Sequence, residues 1–167
     1  MGPESVMVAA VERNLQENDA QSDPPRREYQ ELWLALARKS WRSLALVAER
    51  EESASEITSA LAEVARMLDE RVSFFAPIDV LDYVSVAGIF SAANANFAAD
   101  IPRPVKAPVR SIAILPPVVR NPLALKVATA ADVVVICVEI GKTRLSAVRR
   151  TIELIGRDHV AGCVLIG

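Results

Sequence analysis

Five short apolar runs punctuate the chain, and segments of helical periodicity lie between them. Ser43–Ala48, Val72–Ala76, Ser111–Leu115, Asp132–Val138 and Val160–Ile166 are each four to eight residues long, rich in Val, Ile and Leu, and bounded by turn residues. Between them, Ile57, Leu61, Val64 and Leu68 recur at i, i+4, i+7 and i+11, one face of a helix. Leu145, Val148, Ile152 and Ile155 do the same, with Arg144, Arg149 and Arg150 mostly off that face. Tyr29, Leu32, Trp33 and Leu36 give a further helix over Tyr29–Lys39. Trp33 and Trp41 read as core or edge aromatics, with an interface anchor as the alternative. Val80–Ala99 is mixed, β-branched early and Ala/Asn-rich later, and is read as helix; Asn121–Ala130 is a short helix. Near-continuous apolar strands alternating with helices predict a doubly wound α/β fold: a mostly parallel five-stranded sheet with helices on both faces. Pro116-Pro117 ends the third strand, and Ile101–Pro108, with three prolines, is a connector.

Composition sharpens this reading. Of 167 residues, 51% are hydrophobic and only 5% aromatic, so Ala, Val, Leu and Ile must build the core. The polar, weakly patterned stretch 1–27 is expected to be a flexible arm, with a tether that folds on a partner as its functional alternative; residues 28–167 form one domain. A formal charge of −2 without a lysine/arginine block argues against nucleic acid, because phosphate contacts supply most of that affinity. No apolar run approaches the roughly 20 residues of a spanning helix, and nothing resembles a secretion signal. Cys137 and Cys163 fall in strands and are expected to be free core thiols in a reducing compartment. Two cysteines and His159 are too few for a metal site, and His159 reads as a loop residue with no nucleophile beside it.

The order of motifs in the last third is specific. It runs Ile112-Ala-Ile-Leu-Pro-Pro117, Ala131-Asp132, Val133–Val138, Gly141-Lys142-Thr143 and Gly162-Cys-Val-Leu-Ile166. Upstream, Glu28-Tyr29 with Leu32 precedes Ala60-Leu61-Ala62. This sequence resembles the bacterial tyrosine-kinase family of capsule and exopolysaccharide synthesis, which belongs with the MinD/ParA-type P-loop ATPases. The likeness covers about Glu28 to Gly167, firm in the second half and loose in the first.

The resemblance implies a nucleotide site, and the chain departs from it there. Counting back from Ala60-Leu61-Ala62, the phosphate loop falls on Arg50–Glu56, with Glu51 and Ser53 for glycines, Ala54 for the lysine and Glu56 for the magnesium hydroxyl; Ser55 lies in the same segment. No glycine lies between Ser43 and Arg71, so no register restores a loop whose backbone amides converge on phosphate. Carboxylates at a helix start satisfy its dipole themselves and repel a triphosphate; like charges about 4 Å apart cost about 4 kcal/mol near a protein surface. The family's acidic positions fall on Pro77, Asp79 and Ile114, of which Asp79 alone is acidic and is read as a helix cap. The family's Asn near the base falls on Ile166, and its ring-assembly pattern on Arg27, Gln30 and Trp33. Ser53 and Glu56 fit a capping box that starts this helix without a ligand. Gly141-Lys142-Thr143 mimics half a phosphate loop but lacks the glycine five residues earlier, where Ile136 stands; it is read as a turn glycine followed by a Thr cap, with a weak anion site as the alternative.

The expectation is therefore a pseudo-ATPase or pseudokinase without catalytic residues, cofactor or metal. The resemblance further implies a regulatory or scaffolding role in exopolysaccharide synthesis or export. Its partner would be a membrane polysaccharide co-polymerase, or a second copy in a homodimer. It would be cytoplasmic and recruited to the inner membrane face by its partner, with no insertion of its own. The rival expectations are a nucleotide enzyme or sensor using Lys142, Thr143 or Asp79, and a ParA/MinD-like positioning partner that dimerises through the old nucleotide face.

Overall fold

The structure is a computed structural model and describes residues 27–98 and 109–166. The expected arm (1–26 of it) and the 101–108 connector lie outside the described residues. In chain order the elements are α1 (Arg27–Ala37), β1 (Ser43–Val47), α2 (Glu51–Met67), β2 (Val72–Phe75), α3 (Val80–Ala98), β3 (Arg110–Leu115), α4 (Pro122–Ala130), β4 (Val133–Glu139), α5 (Leu145–Ile155) and β5 (Val160–Ile166). The strands form one five-stranded sheet in the order β2-β3-β1-β4-β5, and every pairing is parallel. This is the doubly wound α/β fold, all-parallel where a mostly parallel sheet was expected.

Period-two alternation sorts the strands onto two faces. Leu44, Leu46, Ile112, Val133, Val135 and Cys137 join Trp33, Leu36, Ile57, Leu61 and Val64 in one core. Ala45, Val47, Ala113, Leu115 and Val134 join Tyr83, Phe90, Val127 and Ile155 in the other. So α1 and α2 cover one face, and α3, α4 and α5 the other. The handedness of parallel crossovers explains this split. The chain from β1 to β2 steps one way along the sheet, and every later crossover steps back the other way.

Around the N-terminal edge, one network ties four elements. The Asp132 carboxylate accepts from the amides of Arg42 and Ser43 at 2.8 and 3.0 Å. The buried Ser43 hydroxyl accepts from the Asp132 amide and donates to Asn94, whose side-chain amide donates to the Ala130 carbonyl. Nearby, Arg110 pairs with Glu70 at 2.5 Å and lies 4.8 Å from the Trp41 ring centroid. Trp41 meets Trp33 edge-on at 6.0 Å. Trp33 and Trp41 are both buried, as core aromatics would be.

Several local expectations are corrected. Helix α2 starts at Glu51 with Arg50 as its cap residue and no side-chain cap bond, so Ser53 and Glu56 form no capping box. Leu68 and Leu145 are exposed, because each sits at its helix terminus, past the turn that the sheet covers. Cys163 is exposed too, although Cys137 is buried as expected. A register shift explains it: Val134 pairs Val160 but Val135 pairs Gly162, leaving Ala161 as an extra residue. One extra residue reverses the facing of all that follow. Val164 and Ile166 then pack on the α1/α2 side, beside Cys137, and Cys163 turns to the opposite face.

Candidate functional site

The C-terminal edge of the sheet is where this topology opens. From β1 the chain turns to α2 on one face; from its neighbours β3 and β4 it turns to α4 and α5 on the other. Strand ends that diverge in this way leave a crevice, the usual ligand position of open α/β sheets. A groove of about 1140 Å³ runs from that crevice along α2 to β2. Arg50, Ser55, Thr58, Phe74, Tyr83 and Ile114 are among its walls.

The residues singled out at the phosphate-loop position are distributed over separate tasks. Glu51 and Glu52 open α2. Ser53 is buried, and its hydroxyl lies 3.4 Å from a Glu139 carboxylate oxygen. Ala54 is packed in the core beneath α2. Ser55 is exposed in the groove. Glu56 turns the other way and accepts from the Tyr29 hydroxyl at 3.0 Å, joining α2 to α1. At the acidic positions, Pro77 and Ile114 both line the groove. Ile114 sits in register with Leu46, so β1 and β3 run side by side there, with an alkyl group at the position where the resemblance implies an acid. Asp79 caps α3: its carboxylate accepts from the Asp82 amide at 2.9 Å, and Asp82 reaches back to the Ile78 amide at 3.2 Å.

The polar centre of this edge is Glu139, the last residue of β4, which motif counting missed. Its carboxylate pairs with the Lys142 ammonium, lies 3.6 Å from the Arg50 guanidinium, and accepts from Ser53. Its backbone carbonyl accepts from the amides of Lys142 and Thr143, and its amide donates to the Thr143 hydroxyl at 2.9 Å. Gly-Lys-Thr is thus a turn folded on Glu139, with Gly141 at a φ of 78°. Thr143 is not the cap of α5; Arg144 stands there without a side-chain cap bond. The hydrogen bond from Lys142, with the charges of Lys142 and Arg50 and the Ser53 hydroxyl, holds the Glu139 carboxyl below its ordinary range against an opposing desolvation effect. The signal available in the sequence was an acid ending a buried strand, three residues before a lysine.

A carboxylate therefore stands against the first turn of α2, gripped by two cations and a hydroxyl. That arrangement holds an anion, and the anion is part of the chain. Tyr83 also lines the groove; burial pushes its phenol up, partly offset by its bond from Asn121. His159 is exposed in the turn before β5, its Nδ1 3.3 Å from the Ala131 carbonyl. Among the described residues no group of three or more His, Cys, Asp or Glu side chains is placed to hold a metal ion. Nor is any described helix long and apolar enough to cross a membrane. Comparison of the chain with protein-family models and with curated protein sequences gave no match.

Proposed function

We propose that this chain is a binding protein built on a P-loop ATPase-like scaffold whose phosphate chemistry has been lost. It acts as a regulatory or scaffolding partner in bacterial exopolysaccharide synthesis or export. The observation that carries the first half is the Glu139 carboxylate, held by Arg50, Lys142 and Ser53 beside the start of α2. The resemblance places a triphosphate at that helix start, where glycines and a lysine are absent from the sequence. Supporting it, Ile114 puts an alkyl group at the adjacent strand end, and Asp79 is engaged in capping. The pathway rests on the motif order from Ile112 to Ile166 alone. On this reading the groove beside α2 serves recognition of a partner such as the cytoplasmic part of a polysaccharide co-polymerase.

Calorimetric titration with ATP, ADP and GTP in the presence of magnesium tests the loss of nucleotide binding. The expected result is no heat and no melting shift at about 1 mM nucleotide, the concentration at which even a −4 kcal/mol interaction half-saturates. Micromolar binding would replace this proposal with the rival nucleotide sensor acting through Lys142, Thr143 or Asp79.

A further inference from the structure

Strand β5 forms one edge of the sheet and, among the described residues, pairs only with β4. Val160–Ile166 holds no charge and no proline, the usual guards of a free edge. Its one irregularity, at Ala161, leaves Gly162–Ile166 regular. Cys163 and Leu165 are in register with Ile136 and Val138, so they share the α5 side of the sheet with Val134. Helix α5 does not cover them: Cys163 is exposed, and Leu165 is 68% exposed. Leu145, on the sheet side of α5 with Val148 and Ile155, is 67% exposed. Both layers therefore present aliphatic groups to solvent.

Helix α1 fixes where the preceding residues join the fold. Tyr29 donates to Glu56 in the second turn of α2, and Trp33 donates to Glu70, past the end of α2. So α1 runs beside α2 in the same direction, from the C-terminal edge of the sheet toward the N-terminal one. It lies on the β4 side of α2: Ser53 meets Glu139 of β4 and Glu56 meets α1, while Ala54, Thr58 and Ala62 line the groove on the other side. Tyr29 and Leu32 share a core with Val164 and Ile166 of β5. A strand that leads into such a helix runs parallel to the rest of the sheet, and the right-handed crossover rule selects its edge. The β1–α2–β2 unit steps from β1 toward β2 with its helix on this face. Helix α1 is on the same face, so a crossover of the same hand into β1 must step in the same direction, and it must start at the β5 edge. From beside β2 it would be left-handed.

We propose that Val6–Val11 of the same chain adds to β5 as a sixth, parallel strand. Val6-Met-Val-Ala-Ala-Val11 is the one uninterrupted apolar run ahead of α1, bounded by Glu4-Ser5 and Glu12. It is of strand length and close to that of the regular part of β5, Gly162–Ile166. Residues 12–26 join it to α1. A connection of that length spans up to about 50 Å, so the run reaches β5 without strain. Its alternate side chains would lie beside Cys163 and Leu165 on one face and beside Val164 and Ile166 on the other. The tether also selects the chain's own segment over a second copy's, because it gives an effective concentration of about 1 mM. This strand does not depend on the function proposed above, and it leaves the groove beyond α2 open.

Cross-linking to the native Cys163 in the full chain tests it. Val6→Cys, Met7→Cys, Val8→Cys, Ala9→Cys and Ala10→Cys, made singly, set a thiol at successive positions. Copper phenanthroline supplies the oxidant, and peptide mass spectrometry with non-reducing electrophoresis reads the products. The expected result is a disulfide to Cys163 within monomers, at alternate positions only, because neighbouring strands bring Cα atoms within disulfide reach and one side of the strand shares the face of Cys163. Absence of a cross-link at every position would overturn the proposal. Cross-links spaced three or four residues apart would also overturn it, since they mean a helix, as would cross-links confined to dimers, which mean a second copy's segment. Val8→Asp gives a readout without oxidant. Amides of Gly162–Ile166 that point away from β4 should exchange about tenfold faster in this variant than in wild type, while those of β1 keep their protection. Equal exchange in the two proteins would count against the strand as surely as a failed cross-link.

Discussion

Glu139 joins two loops that are far apart in the chain. Its partners Arg50 and Ser53 belong to the start of α2, and Lys142 to the turn before α5. Because the folded state holds this carboxyl below its ordinary pKa, the sign of the pH dependence is fixed. Its contribution is complete above the unfolded value, about 4.3, and disappears as pH falls through the folded value. Glu139→Gln should therefore melt below wild type at pH 7, and the gap should narrow at an acid pH below that unfolded value. Circular dichroism melts at the two pH values measure it; an equal gap at both would mean that packing, not charge, is lost.

At the scale of elements, the caps decide where helices begin. Asn121 accepts from the amides of Leu123 and Ala124, both at 3.0 Å, with Pro122 at the first helical position. Asn121→Ala should lower the unfolding free energy by about 1 kcal/mol, read from urea denaturation, and free the Tyr83 hydroxyl it now contacts. All five strands and all five described helices were legible in the sequence: β1 and most of β4 are buried apolar runs and α2 and α5 keep a helical period, whereas the edge strands β2 and β5 are only partly buried and α3 was read from its composition. The ends of helices were less legible. Ser53-x-x-Glu56 has the composition of a capping box, yet Ser53 bonds to a residue on β4 and Glu56 to Tyr29 on α1. Partners distant in sequence outweighed a local pattern. Cys163 was misread for a related reason: burial on an edge strand depends on register, and the extra residue at Ala161 leaves no mark in composition. Of the site, the absence of glycine and lysine around the start of α2 was visible by counting; the carboxylate that stands there was not, since Glu139 carries no motif.

For the whole molecule, the crevice and Glu139 lie at the C-terminal edge of the sheet and the Asp132–Ser43–Asn94 network at the N-terminal one, while the groove runs from the crevice along α2 as far as Glu70 and Val109. Asp132→Ala leaves two amides without their acceptor, one of them on the fully buried Ser43. It should cost about 2 kcal/mol of stability in urea unfolding, while binding of the proposed partner at the groove stays unchanged under native conditions. A loss of binding that exceeds the loss of fold would show that the two edges communicate.

The sheet order has a consequence for how the chain is made. Strand β1 is synthesised first, yet both its neighbours come late: β3 from Arg110 and β4 from Val133. Until those segments emerge, β1 has no hydrogen-bonding partner on either side, and α2 has only part of a surface to lie on. The N-terminal half therefore cannot settle by itself into half a sheet. Contacts so distant in sequence slow folding and leave apolar strands uncovered in the meantime. During synthesis this protein depends on the arrival of its own last third, and a chaperone has most to do before Val133 is made.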